Sequence, residues 1–463
     1  MALMEKQIEH LIARYRIPEA IAHCCSETDL GDVLGFFEFG PDVICYGRCP
    51  SVRVSGSSSA PLNNAWDECA PECNRPCLPF DPDEVVENLL CERAFASDDH
   101  LSVDGLVRSL YYYLRPRIPE KMRKQLQLRY MAANNKAKFP KWPIDWSVER
   151  VLEKVLAIAM RRQGLKSVPF VWFWPDGCSC AVTLTHDVET VRGRDFCKQL
   201  MDLDESGGFR SSFQLVPEQR YSIPSGLIAS MRDRGFEVNV HDLNHDGRLY
   251  SNRGEYLRRV KAINQYGKIM MARGFRSGAM YRDLRWYSAL DFEYDMSVPN
   301  VGRWEAQKGG CCTVMPYFIG SLLEIPLTTL QDYILFELWK DYSIEIWKSQ
   351  ARLIRGKNGL IHFLIHPDYI IHQRAQSAYR ELLDFLRDFR VRENVWCALP
   401  GEVNDWWRQR ANMSLVADGQ GGWRIEGAGS ERARLAYADL SGRDIVYRIR
   451  HGSTETRTHQ ICI

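Results

Sequence analysis

The sequence has almost no net charge, since its 463 residues carry 60 Lys and Arg against 59 Asp and Glu, for a formal value of +1. A chain without an overall basic field gives no reason to expect nucleic acid as a partner. The sequence also has no apolar run near the roughly 20 residues that cross a bilayer, so no transmembrane segment is predicted. Its opening residues mix charges into an amphipathic pattern and lack the apolar core of a secretory signal.

Tight Cys-x-x-Cys pairs, which mark many zinc modules, are missing among the 15 cysteines. An odd cysteine count without a signal segment predicts free thiols in a reducing compartment, which here means the cytoplasm. The densest group is Cys69, Cys73 and Cys77, and prolines interrupt it. Loop thiols are favoured there over a structural metal.

From Val168 onward the sequence alternates between two patterns, short β-branched runs and longer amphipathic segments. The predicted strands are 180–186, 211–216, 236–240, 273–276, 293–298, 322–327, 360–365 and 395–398. The predicted helices between them include Ser225–Asp233, Arg253–Met271 and Gln373–Phe389. Repeated units of this kind predict an α/β fold with a parallel sheet or barrel.

The organisation of the chain predicts three parts. Residues 1–165 form an N-terminal α+β region of unknown role with a Cys/Pro-rich loop, and residues 166–400 form the α/β unit. Residues 401–463 carry short strand patterns between Gly and Asp turns, which predict a small β appendage.

Two carboxylates follow the strand 180–186, in the order His186-Asp187-Val188-Glu189. Such a strand delivers Asp187 and Glu189 to its carboxyl end, where α/β folds place their chemistry. About fifty residues later come His241 and His245, and one helical turn would put both imidazoles on one face, as a zinc ion requires. Capping and solvated side chains are the alternative interpretation for either piece alone. In combination, the two pieces favour a metal site whose second carboxylate serves as base.

Three further polar residues fall at predicted strand ends. Arg276 closes the strand 273–276, Asp295 lies in the next predicted strand, and His366 follows the apolar strand 360–365. His362 lies four residues before His366 on the same strand face.

These five segments, in this order, resemble the polysaccharide deacetylase family, the metal-dependent carbohydrate esterases with the NodB-type homology domain. The resemblance covers residues of about 168–400 and implies a distorted (β/α) barrel. It further implies that Asp187 is the catalytic base, that His366 is the general acid, and that Arg276 holds Asp187. The implied metal ligands are Glu189, His241 and His245.

This sequence departs from the family at one position that affects the chemistry. The family usually has two adjacent aspartates, whereas here Asp187 and Glu189 are separated by Val188. Residues two apart on a strand project to the same side, so Glu189 is predicted as the ligand and Asp187 as the base. The opposite assignment, with Asp187 on the metal, stays open.

Supporting roles are predicted for three residues near the site. His186 points opposite to Asp187 and is expected to be packed or to support the site, as is His362, while Asp295 anchors Arg276 or Arg282 or caps a turn. Three aromatic residues could form a sugar platform, although packing is the more common role: Tyr281, Trp286 and Trp304.

The predicted function is therefore a metal-dependent hydrolase that removes an N-acyl group, such as acetyl, from an amino sugar of a glycan or glycan precursor. The predicted cofactor is a divalent metal, with zinc favoured, and the predicted partner is the glycan or amino-sugar substrate. Two alternatives stay open. One is a related amidohydrolase of non-sugar amides or imides, and the other is a glycan-binding or assembly protein with a degraded site.

Overall fold

The computed structural model describes residues 3–27, 29–66, 77–95, 138–419, 421–451 and 454–457, together with the single residues 122 and 125. Two members of the predicted cysteine group, Cys69 and Cys73, lie outside these residues.

In its described residues, the N-terminal part combines two small sheets with two short α-helices. Its elements are β1 (Leu3–Gln7), α1 (Glu9–Tyr15), β2 (His23–Glu27), β3 (Leu34–Glu38), β4 (Ile44–Arg48), β5 (Cys77–Leu78) and α2 (Pro82–Leu90). Strands β1, β2 and β5 form one sheet, and β3 and β4 form an antiparallel hairpin. The Asp81 side chain caps α2 by accepting hydrogen bonds from two backbone N–H groups, and Pro82 occupies the first helical position, where no donor is needed.

The central part alternates between strands and helices, as its sequence pattern predicts. Its elements are α3 (Ser147–Arg162), β6 (Ser167–Val171), β7 (Cys180–Val188), α4 (Val191–Gly207), β8 (Ser212–Leu215), α5 (Ser225–Asp233), β9 (Glu237–His241), α6 (Arg253–Met270), β10 (Gly274–Arg276), β11 (Tyr294–Asp295), β12 (Tyr317–Ile319), β13 (Leu322–Glu324), α7 (Glu345–Gly356), β14 (Leu360–Leu364), α8 (Pro367–Ile370), α9 (Gln373–Glu393), β15 (Val395–Cys397) and α10 (Pro400–Ala411). A π-helical segment, Tyr333–Trp339, lies between β13 and α7.

The main sheet has the strand order β12-β13-β11-β10-β9-β8-β7-β14, and β15 also pairs with β7. Every pairing is parallel except that of β12 with β13. Beyond β13 the backbone N–H of Thr329 donates to the carbonyl of His362 in β14, with an N···O distance of 3.3 Å. The sheet therefore curls into part of a barrel, and the carboxyl ends of its parallel strands share one rim.

Strand β7 pairs with three strands, β8, β14 and β15, and all nine of its residues are buried. A strand of a parallel sheet that is covered on both faces needs apolar residues along its length, which explains the run Cys180–Leu184. Helix α4 follows β7 after only two residues and ends at Gly208, whose φ of 76° provides the left-handed C-cap.

The C-terminal part consists of β16 (Ser414–Ala417), β17 (Trp423–Glu426), β18 (Leu435–Ser441), β19 (Asp444–His451) and β20 (Thr454–Arg457). Strand β18 pairs with β6, so this part shares a sheet with the first strand of the central part. The Tyr447 hydroxyl also lies 2.7 Å from that of Tyr15 near the N-terminus. The division at 165 and 400 stays a prediction, and these contacts cross both boundaries.

The sequence predicted the strands well in position but overestimated the length of two. The predicted strands 293–298 and 322–327 shrink to β11 and β13, because only their first residues form continuous ladders. Beyond them the two segments keep one isolated bridge, Pro299 to Leu327. None of the described helices has the length and apolar character needed to cross a membrane.

Candidate metal centre

Four strand ends bring the predicted site residues to one rim of the sheet. Asp187 is the penultimate residue of β7, and Glu189 follows that strand directly. His241 and Arg276 are the last residues of the neighbouring strands β9 and β10, and they are register partners. His366 lies two residues after β14, the neighbour of β7 on its other side.

Glu189, His241 and His245 form a group whose ligand atoms all lie within 4.8 Å of one another. Glu189 Oε1 is 3.0 Å from His245 Nε2 and 3.9 Å from His241 Nε2. Two ligands of a tetrahedral zinc ion, each about 2.1 Å from it, lie roughly 3.4 Å apart. The three side chains therefore have the spacing and chemistry that a divalent ion requires.

The hydrogen bonding of the imidazoles supports this assignment. His241 Nδ1 donates to the carbonyl of Arg276 over 3.1 Å, which leaves the lone pair on Nε2. That Nε2 atom, and Nε2 of His245, are buried without any hydrogen-bond partner in the described part of the chain. Buried polar atoms in this condition call for an explanation, and an ion bound between them supplies one.

The two histidines do not lie on one helical turn, so the predicted geometry was wrong although the residues do come together. His241 ends β9, and Asp242 and His245 both have left-handed backbones, with φ of 55° and 52°. These two reversals fold the loop back and place the imidazole centroids 4.8 Å apart. Gly278 leaves space for the loop, since a Cβ atom there would lie 2.4 Å from Asp242 Oδ2.

His245 has a second neighbour, which the sequence did not indicate. Nη2 of the exposed Arg220 lies 3.3 Å from His245 Nδ1. Because a guanidinium can only donate, this contact leaves the lone pair of His245 on Nδ1 and its proton on Nε2. Binding of an ion at Nε2 would move that proton to Nδ1 and displace the Arg220 contact.

Asp187 is paired with Arg276 at the floor of the site. Arg276 Nη1 donates to Asp187 Oδ1 over 2.9 Å, and Asp187 Oδ2 lies 3.5 Å from His241 Nε2. Burial acts to raise the pKa of Asp187, but the guanidinium, with His241 and His366, outweighs it and lowers the pKa below its ordinary value. The carboxylate is therefore ionised, with one oxygen held and the other directed at the ligand group.

Arg276 is itself fixed by partners on every side. Nη1 also donates to the Thr185 hydroxyl, Nη2 donates to His362 Nε2 over 2.8 Å, and Nε donates to the carbonyl of Met296. Burial and the Arg276 charge hold the pKa of His362 well below its ordinary value, so the imidazole is neutral and can accept. The guanidinium therefore has little freedom to leave Asp187.

His366 lies across the group from Asp187, with Nε2 at 3.6 Å from Glu189 Oε1. Its Nδ1 atom is 2.7 Å from Asp332 Oδ1, and its backbone N–H donates to the other oxygen of the same carboxylate. Burial acts to lower the pKa of His366, but Asp332 and Glu189 raise it well above its ordinary value. Asp332 was missed from the sequence, since it is the N-cap of the π-helical segment Tyr333–Trp339 and no motif surrounds it.

Glu189 is the most accessible member of the group. Its side chain is 20% exposed, against 7% or less for Asp187, His241, His245 and His366. Burial acts to raise the pKa of Glu189, yet His245 and then the other two imidazoles lower it well below its ordinary value. Glu189 is therefore the side chain of this group that solvent reaches most easily.

The three residues predicted to support the site have different partners in the structure. His362 contacts Arg276, as described above. His186 faces away from the group and bonds to Asp204 and to the carbonyl of Ile365. Asp295 accepts from Ser297 and Tyr287, so it caps a turn and contacts neither Arg276 nor Arg282.

The aromatic residues predicted as a sugar platform lie mostly in the interior of the protein. Tyr281 and Trp286 are buried in the core, and the half-buried Trp304 packs against Trp142 and Trp339. The aromatic ring nearest the site is instead Tyr369, whose centroid is 5.1 Å from that of His366.

Comparisons of the chain with known proteins find similarity to solved structures. No family model matches the chain. No curated protein matches it either. Similar solved structures include the Puue allantoinase, at 12% identity over 51% of this chain and 92% of that one, with a TM-score of 0.41. They also include the peptidoglycan deacetylase PdaC from Bacillus subtilis, at 14% identity over 51% and 95%, with a TM-score of 0.33.

A family 4 carbohydrate esterase from Streptomyces lividans is also similar, at 11% identity over 48% of this chain and 93% of that one, with a TM-score of 0.30. Polysaccharide deacetylases, the family that the sequence resembles, are thus among the similar structures. At such identities and scores, function has to be argued from the site itself.

Proposed function

We propose that the protein is a metal-dependent hydrolase that removes an N-acyl group from an amino sugar of a glycan or glycan precursor. One observation carries the proposal. Two buried imidazole Nε2 atoms without hydrogen-bond partners in the described residues face Glu189, and an ionised Asp187 held by Arg276 lies 3.5 Å from one of them. Ligands, a base and a proton donor are the parts that amide hydrolysis requires.

The proposal assigns Glu189, His241 and His245 as ligands of a divalent ion, for which zinc is the first choice. When bound, such an ion polarises the amide carbonyl and lowers the pKa of water. Asp187 accepts the proton of the attacking water through Oδ2, because Oδ1 is held by Arg276. The exchanged assignment, with Asp187 as the ligand, is the competing version.

His366 then donates a proton to the leaving nitrogen. Asp332 binds both its ring Nδ1 and its backbone N–H, so the imidazole directs Nε2 toward the group at Glu189. The base and the acid are thus two different side chains, Asp187 and His366, each with its own charged partner.

The wider proposal includes three further points. The curled sheet is interpreted as the distorted (β/α) barrel of the polysaccharide deacetylase type. The cysteine content favours a cytoplasmic reaction, and hence a nascent or carrier-linked glycan over a mature polymer. The tight Asp187–Arg276 and His366–Asp332 pairs favour an active site over a degraded, glycan-binding one.

Metal analysis together with an acyl-release assay tests the proposal. The purified protein should contain about one equivalent of a divalent ion, and His241→Ala and His245→Ala should each lose it along with activity. The exposed His372 provides the matched control, since His372→Ala should change neither. A stoichiometric ion that survives both ligand substitutions would refute this site.

A panel of substrates separates the candidate reactions. Release of acetate from N-acetylated amino sugars, but not from small non-sugar amides or imides, supports the leading proposal. The reverse preference supports the amidohydrolase, and metal binding without any hydrolysis supports the degraded site.

A further inference from the structure

Two cysteines lie side by side in the small N-terminal sheet. Strands β2 and β5 pair in parallel, with Cys25 directly opposite Cys77. Neighbouring strands are about 4.8 Å apart, and side chains in register point to the same side of a sheet. A disulfide needs Cα atoms roughly 4.4–6.8 Å apart, so this pair meets the distance requirement without any movement of the backbone.

The surroundings of the pair favour reaction at these two sulfurs. Both are free thiols, and Cys77 is only partly buried, so an oxidant can reach it. The Arg162 guanidinium interacts with both, and it also lies 3.7 Å from Glu5, which occupies the same row of the sheet on β1. Arg162 acts to lower the pKa of Cys77, although burial and Cys25 outweigh it, so what favours reaction is the contact of the two sulfurs and the access of an oxidant to Cys77.

The neighbouring thiol of β2 provides an internal reference. Cys24 is fully buried, points to the other face of the strand, and donates to the carbonyl of Val155 in α3. Burial raises its pKa to about 12, so it should remain reduced under conditions that oxidise an accessible pair.

We propose that Cys25 and Cys77 are a modification site at which a reversible disulfide forms between β2 and β5. The oxidant is hydrogen peroxide. One thiolate attacks the peroxide, which releases water and leaves a sulfenic acid, and the second thiol then displaces a second water to form the S–S bond. Two thiols are oxidised by two electrons in total, and a dithiol reductant reverses the step by exchange.

The bond would fix a segment that leads to the candidate metal centre. Strand β5 precedes Asp81, the cap of α2, which also pairs with Lys6 of β1. Just after α2, Glu92 accepts from the buried Arg282 and from the backbone N–H of Gly310. Oxidation therefore ties the start of a segment whose far end, at Glu92, is held by hydrogen bonds to the loops that follow β10 and β11.

Peptide mapping of the full-length protein tests the proposal. The protein is treated with equimolar hydrogen peroxide, free thiols are alkylated, and the linked peptides are identified by mass spectrometry. The expected result is a Cys25–Cys77 peptide, with Cys24 alkylated as in the untreated protein. The rate should rise with pH, because burial and the hydrogen bond that the Cys77 thiol makes to Cys25 raise the pKa of Cys77 to about 11. Dithiothreitol should restore both thiols.

Two variants provide the second readout. Cys25→Ser and Cys77→Ser should each abolish the linked peptide, and the several-degree rise in thermal midpoint that oxidation gives the wild type should vanish with it. Cys91→Ser, a half-buried thiol after α2, is the matched control and should keep both effects. A disulfide that joins Cys77 to any other cysteine, or oxidation that leaves Cys25 and Cys77 reduced, would overturn the proposal. Neither result depends on the metal centre.

Discussion

Strand β7 carries two histidine–carboxylate clusters on its opposite faces. On one face His186 bonds through both ring nitrogens, to Asp204 and to Ile365, and Asp204 also accepts hydroxyl hydrogen bonds from Ser211 and Tyr379. On the other face Asp187 points toward His241, whose Nε2 atom has no hydrogen-bond partner among the described residues. The residue types are the same, and both clusters are buried.

The two clusters differ in whether their buried polar atoms have hydrogen-bond partners. A closed cluster such as that of His186 stabilises the fold, because every buried donor and acceptor has its partner. An open cluster costs stability and persists where a ligand completes it. Substitutions on the Asp187 face should therefore change catalysis more than stability, and substitutions on the His186 face should do the reverse.

The largest expected effect follows from Asp187→Asn, which should abolish hydrolysis while the metal is retained. An amide cannot accept the proton of the attacking water, yet it still fits beside Arg276. Glu189→Gln should instead weaken metal binding first. Metal content and turnover are measured on both variants, and metal lost in Asp187→Asn but kept in Glu189→Gln would exchange the two assignments.

The next effect concerns the proton donor. His366→Ala should lower kcat by about 10²–10⁴-fold, the usual range for one acid–base group, with metal content unchanged. The loss should shrink for an aryl ester, whose leaving group needs no proton. Equal losses on amide and ester substrates would instead assign His366 to substrate binding.

A smaller effect is expected for the carboxylate behind that histidine. Asp332→Asn should cost on the order of 10–100-fold in kcat, because His366 loses the charged partner that orients its ring. Its effect should be absent in the His366→Ala background, since the two residues act as one unit. Asp341→Asn, nine residues later on an exposed turn, is the matched control.

The smallest effect on catalysis is expected on the closed face. Asp204→Ala should lower the free energy of unfolding by about 1–3 kcal/mol, because it leaves buried donors without an acceptor. Activity per folded molecule should stay unchanged. Asp202→Ala, two residues earlier at an exposed ion pair with Arg234, should change stability by less than about 0.5 kcal/mol. Urea unfolding measures both, and lost activity in folded Asp204→Ala would remove the distinction between the faces.

The sequence predicted the strands of the central unit because their apolar, β-branched runs are bounded by turns. Strands 180–186 and 360–365 lie within one or two residues of β7 and β14. It also predicted which polar residues follow those strands, and Arg276 does contact Asp187. The assignment of their catalytic roles stays a prediction.

Other features depend on contacts that no local pattern encodes. Asp332, the N-cap of a π-helical segment, contacts His366 although the two residues are 34 apart in the sequence. Arg220 contacts His245 from a different loop. The helical turn predicted for His241 and His245 was wrong. Their separation in the sequence does not reveal that Asp242 and His245 have left-handed backbones.

The sequence by itself determined the alternation of strands and helices and the carboxylates and imidazoles at the strand ends, because periodicity and residue type are local properties. Only the tertiary structure decided which of those groups have hydrogen-bond partners. His186 and Asp187 are adjacent in the chain, yet one is closed by Asp204 and the other faces His241. The partners of a buried polar atom come from distant segments, so its hydrogen bonding is settled only when the sheet curls and brings them together.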